Sequence, residues 1–186
     1  MVLILASDVG RPAWTRMIRD GVVAPLAPGS GHAADVHRSP TLRAASFASV
    51  VPQRAVLTGL AALWVHGWGG DSASPPLLEV AVPRGCHPGV PPNADPHRWS
   101  FVTDQATCQS ATVVGGVRVA DASHAAAAAL ARGPLASAIA AALWALTAQL
   151  LDADAVEATI RDCSHGAAGK RAHSAWNAAC AATGGR

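Results

Sequence analysis

Three arginines fall within nine residues near the start of the chain, Arg11, Arg16 and Arg19 in RPAWTRMIR. If the segment is helical, Arg16 and Arg19 are three apart and share one face. Trp14 and Ile18 are four apart and define another face, suited to packing. Arg11 stands at the helix N-terminus, where free backbone N–H groups favour a phosphate. A helix with an apolar back and a basic front suits insertion into a DNA groove, where phosphate contacts fix register and base-edge contacts read sequence. The same pattern fits an ordinary amphipathic surface helix, and the segment by itself leaves both readings open.

A second cationic group, Arg161, Lys170, Arg171 and His173, lies near the end of the chain. It would serve as a further phosphate-contacting face. It also fits a solvated helix surface, or side chains that complement helix C-termini.

The patterns expected of an enzyme are missing. The sequence holds no GxSxG, HExxH, GxxxxGK[ST] or GxGxxG leading into a helix. Glu79 stands in Glu79-Val80-Ala81 where a DxD pair of a nucleotidyltransferase strand would be sought, and it reads most simply as a solvent-facing strand residue. His66, beside Gly67, reads as a side chain bound to free carbonyls at a helix end. The four cysteines, 86, 108, 163 and 180, form no CxxC pair. Cys86-His87 and Cys163-x-His165 lack zinc-finger spacing. No catalytic residue, metal or cofactor is therefore assigned.

The elements that would position these residues follow from composition and punctuation. The 186 residues are 51% hydrophobic and 14% charged, with 43 Ala, 17 Gly and 13 Pro. That balance opposes disorder. Six Trp and two Phe supply the aromatics, so the core must rely on alanine and close helix contact. The net charge is +2 and the pI about 8.5, which excludes a strongly cationic, histone-like binder but not a local basic face. Thirteen of the fourteen basic residues are Arg, the better partner for bidentate phosphate contacts, although genomic base composition gives the same bias. No apolar run is long enough to span a bilayer, and residues 1–6 do not make a signal peptide. The expected location is cytosolic, and a disulfide framework is not expected there.

Residues 3–9 read as a short helix, Gly10 as a turn, 12–19 as a second helix and 22–26 as a strand with a Pro/Gly-rich tail. That is the order of a helix-turn-helix leading into a wing. Residues 30–40 read as a polar linker. Helices are predicted over 41–51 and 59–66, the latter capped by Thr58, and a loop over 71–76. Strands are predicted over 77–82 and 98–103, with a Pro/Gly-rich loop between them, and a hairpin over 111–119 turning at Gly115-Gly116. Beyond Asp121 the chain reads as four helices. One of them aligns Leu135, Ile139, Leu143, Leu146 and Leu150 on a single apolar face. Another is capped by Asp152 and buries Val156 and Ile160. The last covers about 167–181, with Cys180 on a core-facing side. The expected class is α+β: a truncated N-terminal winged helix-turn-helix over 1–31, then a domain over 41–186 with a small antiparallel sheet packed with helices and a helical C-terminal region.

Four segments together resemble the AbiEi-like antitoxin family of actinobacteria: RMIRDGVVAPLAPG (16–29), AVLTGLAALWVHGWG (55–69), LLEVAVPRG (77–85) and VVGGVRVADASHAAAAALARG (113–133). The resemblance extends over about residues 3–180. It implies a winged helix-turn-helix joined to an antitoxin domain, in a DNA-binding negative autoregulator of a toxin–antitoxin or phage-defence operon (type IV). It implies double-stranded operator DNA as a partner, an inverted repeat if two copies bind. It also implies a nucleotidyltransferase-like toxin countered without a stable complex. By position it places Arg11, Arg16 and Arg19 on the recognition helix. The chain departs from the family in three places. The first helix of the winged unit has no counterpart, which a shortened member or a misassigned start codon would explain. The wing ends in Gly29-Ser30-Gly31 without its aromatic. The family's R-T-x-x-D charges fall on Ala125, Ala126 and Ala129. Two other functions remain open: a protein-binding antitoxin or scaffold module using the helical C-terminal region, and a remnant of a nuclease-linked relative.

Overall fold

The chain opens as a strand where the sequence predicts a helix. The computed structural model describes residues 2–69, 77–89, 99–163 and 166–184. The expected loop over 71–76 and most of the loop between the two strands that follow lie outside them. Strand β1 (Leu3–Leu5) precedes a single helical turn, α1 (Ala6–Val9). Gly10, at φ +79°, turns the chain into α2 (Arg11–Arg19), with Pro12 in its first turn. Strands β2 (Val23–Ala27) and β3 (Ser30–Ala33) follow as a hairpin. The three strands form an antiparallel sheet in the order β1-β3-β2.

Residues 30–33 are the centre of that sheet, not the linker their polar character predicts. Ser30 and His32 are buried there, and Gly31 provides the reason. A Cβ at Gly31 would lie 2.7 Å from the Ala24 carbonyl oxygen and 3.0 Å from the Trp14 ring. Only glycine lets the α2 indole lie this close to the strand. Leu3 to Leu5 are drawn into a strand by pairing with that segment, so tertiary contact overrides local preference.

Helix α3 (Pro40–Ala45) is capped by Ser39, whose Oγ accepts the Leu42 N–H at 3.2 Å. It is shorter than the predicted 41–51. The Ser46 hydroxyl donates to the Arg43 carbonyl at 2.6 Å, a local bond that competes with helix continuation. Strand β4 (Val56–Thr58), unforeseen in the sequence, leads into α4 (Gly59–His66). Thr58 holds the N-cap position, but its side chain makes no capping bond. Strands β5 (Leu78–Val82) and β6 (Trp99–Thr103) fall where predicted. Helix α5 (Gln105–Ser110), also unforeseen, is capped by Asp104, which accepts the Thr107 N–H at 3.0 Å. The hairpin of β7 (Thr112–Val114) and β8 (Val117–Val119) turns at Gly115-Gly116 as expected.

The second sheet runs β6-β5-β4-β8-β7. It corrects the expectation of an antiparallel sheet: β4 pairs antiparallel with β5, but β4–β8 and β5–β6 are parallel. Parallel neighbours need a long crossover, and residues 83–98 and 59–116 supply the length. Strand β5 is buried along its whole extent, as parallel-type strands covered on both faces are.

Four helices complete the chain: α6 (Ala122–Arg132), α7 (Leu135–Thr147), α8 (Ala153–Cys163) and α9 (Gly166–Gly184). Helix α6 is central, with residues 125–131 all buried, and it packs on α4, α7, α8 and α9. Its alanines are what permit that approach from several sides. The positions where the resemblance expects R-T-x-x-D are three fully enclosed methyl groups, Ala125, Ala126 and Ala129. Asp152 accepts the Asp154 N–H at 3.1 Å, and Val156 and Ile160 are buried, both as predicted. Leu26 and Ala27 of β2 join the same core as Leu42, Phe47 and Trp64.

Candidate nucleic-acid interface

Helix α2 has one packed side and one free side. Trp14 faces the first sheet over Gly31, with Met17 and Ile18 partly buried beside it. Arg11, Thr15, Arg16 and Arg19 are exposed. Pro12, Thr15, Arg16 and Arg19 line a shallow depression on the outer face. The structure thus brings Arg16 and Arg19 together on the free side, with Arg11 at the helix start. The Arg19 Nε donates to the adjacent Asp20 Oδ1 at 3.0 Å. Both side chains are solvated, so this pair holds Arg19 only weakly.

The hairpin beside α2 carries no cation of its own. Residues 22–34 contain neither Arg nor Lys. The buried His32 is held at both ring nitrogens. Arg38 Nε donates to His32 Nε2 at 3.2 Å. Nε2 is therefore the acceptor, and Nδ1–H donates to the Ala33 carbonyl at 2.8 Å. This is the neutral tautomer, used to pin the chain leaving β3.

Lys170 and Arg171, grouped together in the sequence, are separated by the structure. Consecutive helical residues do not share a face. Lys170 is exposed and lines a cleft of about 550 Å³ between α8 and α9, with Glu157, Arg161 and His173. Arg161 is tied there to Glu157 at 3.2 Å. Arg171 instead turns inward, donating to the Ala131 and Gly133 carbonyls at 3.1 and 2.5 Å. It satisfies the exposed end of α6, the role that late cations often play.

Sequence reasoning missed two ionic contacts. Glu79 is 4% exposed, not solvent-facing, and pairs with Arg132. Asp121 caps α6 through the His124 N–H at 3.0 Å and accepts from the His124 ring at 2.7 Å. Burial pushes the Asp121 carboxyl up, but the bonds from His124 and the nearby Ser110 hydroxyl outweigh it and hold the group well below the usual carboxylate range. The bond from Asp121 raises the His124 pKa against the opposing effect of burial. The spacing Asp-x-x-His at a helix start was the available signal. His66 donates, as expected, to a carbonyl, but that of Ala120 at 2.9 Å. All these groups tie elements together. Among the described residues no three His, Cys, Asp or Glu side chains converge into a metal-binding group, and no helix is long and apolar enough to cross a membrane.

Compared with known proteins, the chain matches no family model and no curated protein.

Proposed function

We propose that this chain is a non-catalytic, DNA-binding transcriptional regulator of the antitoxin type, acting on its own operator as the AbiEi-like resemblance implies. The observation that carries the reading is α2, which keeps Arg11, Arg16 and Arg19 exposed while Trp14 anchors the opposite side to the sheet. A short helix, a glycine turn, a second helix and a hairpin in sequence order β1-α1-α2-β2-β3 suit presentation of α2 to a major groove. Arg16 and Arg19 are the groove and phosphate contacts, Arg11 a phosphate contact at the helix start, and Lys170 an accessory one. Arg171 acts indirectly by fixing α6 and α9. A nucleotidyltransferase-like toxin is the functional partner, opposed through regulation and not through a stable complex.

Fluorescence anisotropy with the upstream DNA and a scrambled duplex, over a salt series, tests this. Three phosphate contacts per copy correspond to a slope of about −3 in log K against log salt. Arg16→Ala with Arg19→Ala should weaken binding about 100-fold or more and flatten the slope by about 2. Unchanged affinity in that variant sinks the reading. A protein-binding antitoxin or scaffold module is the second reading, favoured by the lack of any Arg or Lys in residues 22–34. It predicts no DNA binding at low salt and co-purification with a toxin.

A further inference from the structure

Helix α7 buries the face that sequence periodicity would leave second. Its enclosed residues are Ala138, Ala141, Ala142 and Ala145, packed toward α4, α6 and α9. Small side chains let those helices come close. The aliphatic stripe therefore lies along the flank. Leu135 is 47% and Leu150 44% exposed, and Ile139, Leu143 and Leu146 between them are only partly covered. Exposed large aliphatics elsewhere in the described residues are isolated valines, among them Val113. Scattered apolar residues are ordinary, whereas a continuous stripe marks a contact.

We propose that this stripe is where a second copy of the chain docks, α7 against α7. The argument rests on charge and on size. Residues 135–151 contain no Asp, Glu, Lys, Arg or His. A nucleic acid finds no cation there, and a charged peptide finds no counter-charge. In a two-fold contact the residues near the axis meet their own copies, so any charge on the stripe would face itself. A neutral, aliphatic helix face is free of that repulsion and complementary to itself. The stripe is roughly 20 Å long and about one helix wide, on the order of 250 Å² per copy. That is well under the ~800 Å² per partner of a stable complex. The association is therefore weak and concentration-dependent.

Sedimentation of the full chain without DNA tests the proposal independently of the function above. Between about 1 and 500 µM, a span covering weak specific association, the weight-average mass should rise from one chain toward two. Leu143→Glu with Leu150→Glu should remove the rise and leave the melting temperature within a few degrees. Val113→Glu, 71% exposed on β7, should leave the rise intact. A wild-type mass that stays at one chain overturns the proposal. So does a double variant that still self-associates, or one that loses stability while the mass never changes, since its stripe is then covered by its own chain. Loss of the rise in Val113→Glu also overturns it, because the contact is then general stickiness.

Discussion

The carboxylate of Glu79, 5% exposed in the middle of β5, accepts two hydrogen bonds from Arg132 in the last turn of α6. Nε donates at 3.1 Å and Nη2 at 2.6 Å, both to Oε1. This bond fastens the second sheet to the central helix. It also explains a charged residue on an otherwise apolar, fully buried strand. Removing one partner of a buried pair typically costs about 3–5 kcal/mol, because the other charge stays desolvated. Arg132 is 32% exposed, so water screens part of that, and Arg132→Ala should cost about 2 kcal/mol in urea unfolding. Adding Glu79→Leu should recover part of the loss. A double variant no more stable than Arg132→Ala would show that the stranded carboxylate is not the source.

The Asp121–His124 contact makes stability depend on pH in two directions. Asp121 is held below its unfolded value of about 3.8, and His124 above its unfolded 6.5. The Asp121 contribution is present above about pH 4 and fades as pH falls toward its folded pKa. The His124 contribution is complete below about pH 6.5 and is lost as pH rises through its raised folded pKa. The melting-temperature gap between wild type and His124→Asn should therefore be widest near pH 5 and shrink by about pH 8. A gap independent of pH from 5 to 8 would mean that the imidazole acts only as a packed ring.

These contacts mark where sequence reading succeeds and where it stops. Helix α2 was legible because its signals are local: Gly10 and Pro12 punctuate it, and Trp14 and Ile18 recur at helical spacing. Thr58-Gly59, Asp121 and the Gly115-Gly116 turn were legible as boundaries for the same reason. Strand β3 was not, because Ser30-Gly31-His32 is polar and is buried only through Trp14 above it and β1 beside it. In α7 the periodicity was read correctly and its meaning was not. Five large aliphatics marked a face, but the methyl face is the one that α6 and α9 can approach. At the candidate interface, composition marked Lys170 and Arg171 as one cluster. Only three-dimensional packing reveals that Arg171 is engaged by the Ala131 and Gly133 carbonyls.

Two residues at the same backbone angle should respond to mutation in opposite directions. Gly115 and Gln149 both sit at φ +56°, where an L side chain costs about 1 kcal/mol and glycine nothing. At Gly115 the surroundings add to that cost. A Cβ there would overlap the Thr41 carbonyl oxygen and stand 2.8 Å from the Ala45 nitrogen. Both are backbone atoms of α3, unable to rotate away. Gly115→Ala should therefore cost about 3 kcal/mol or more and shift the β7–β8 hairpin off α3. At Gln149 the cost is already being borne. Its N–H donates to the Leu146 carbonyl at 3.1 Å, and the Leu150 N–H to that of Ala145 at 2.9 Å. This pair of bonds closes a helix end that glycine usually occupies. The Gln149 side chain is exposed and makes no bond of its own among the described residues, so Gln149→Gly loses little. It should raise stability by about 1 kcal/mol, read as a higher urea midpoint at unchanged slope. A lower midpoint would mean that the glutamine side chain, or the restriction it places on the unfolded chain, outweighs the backbone strain.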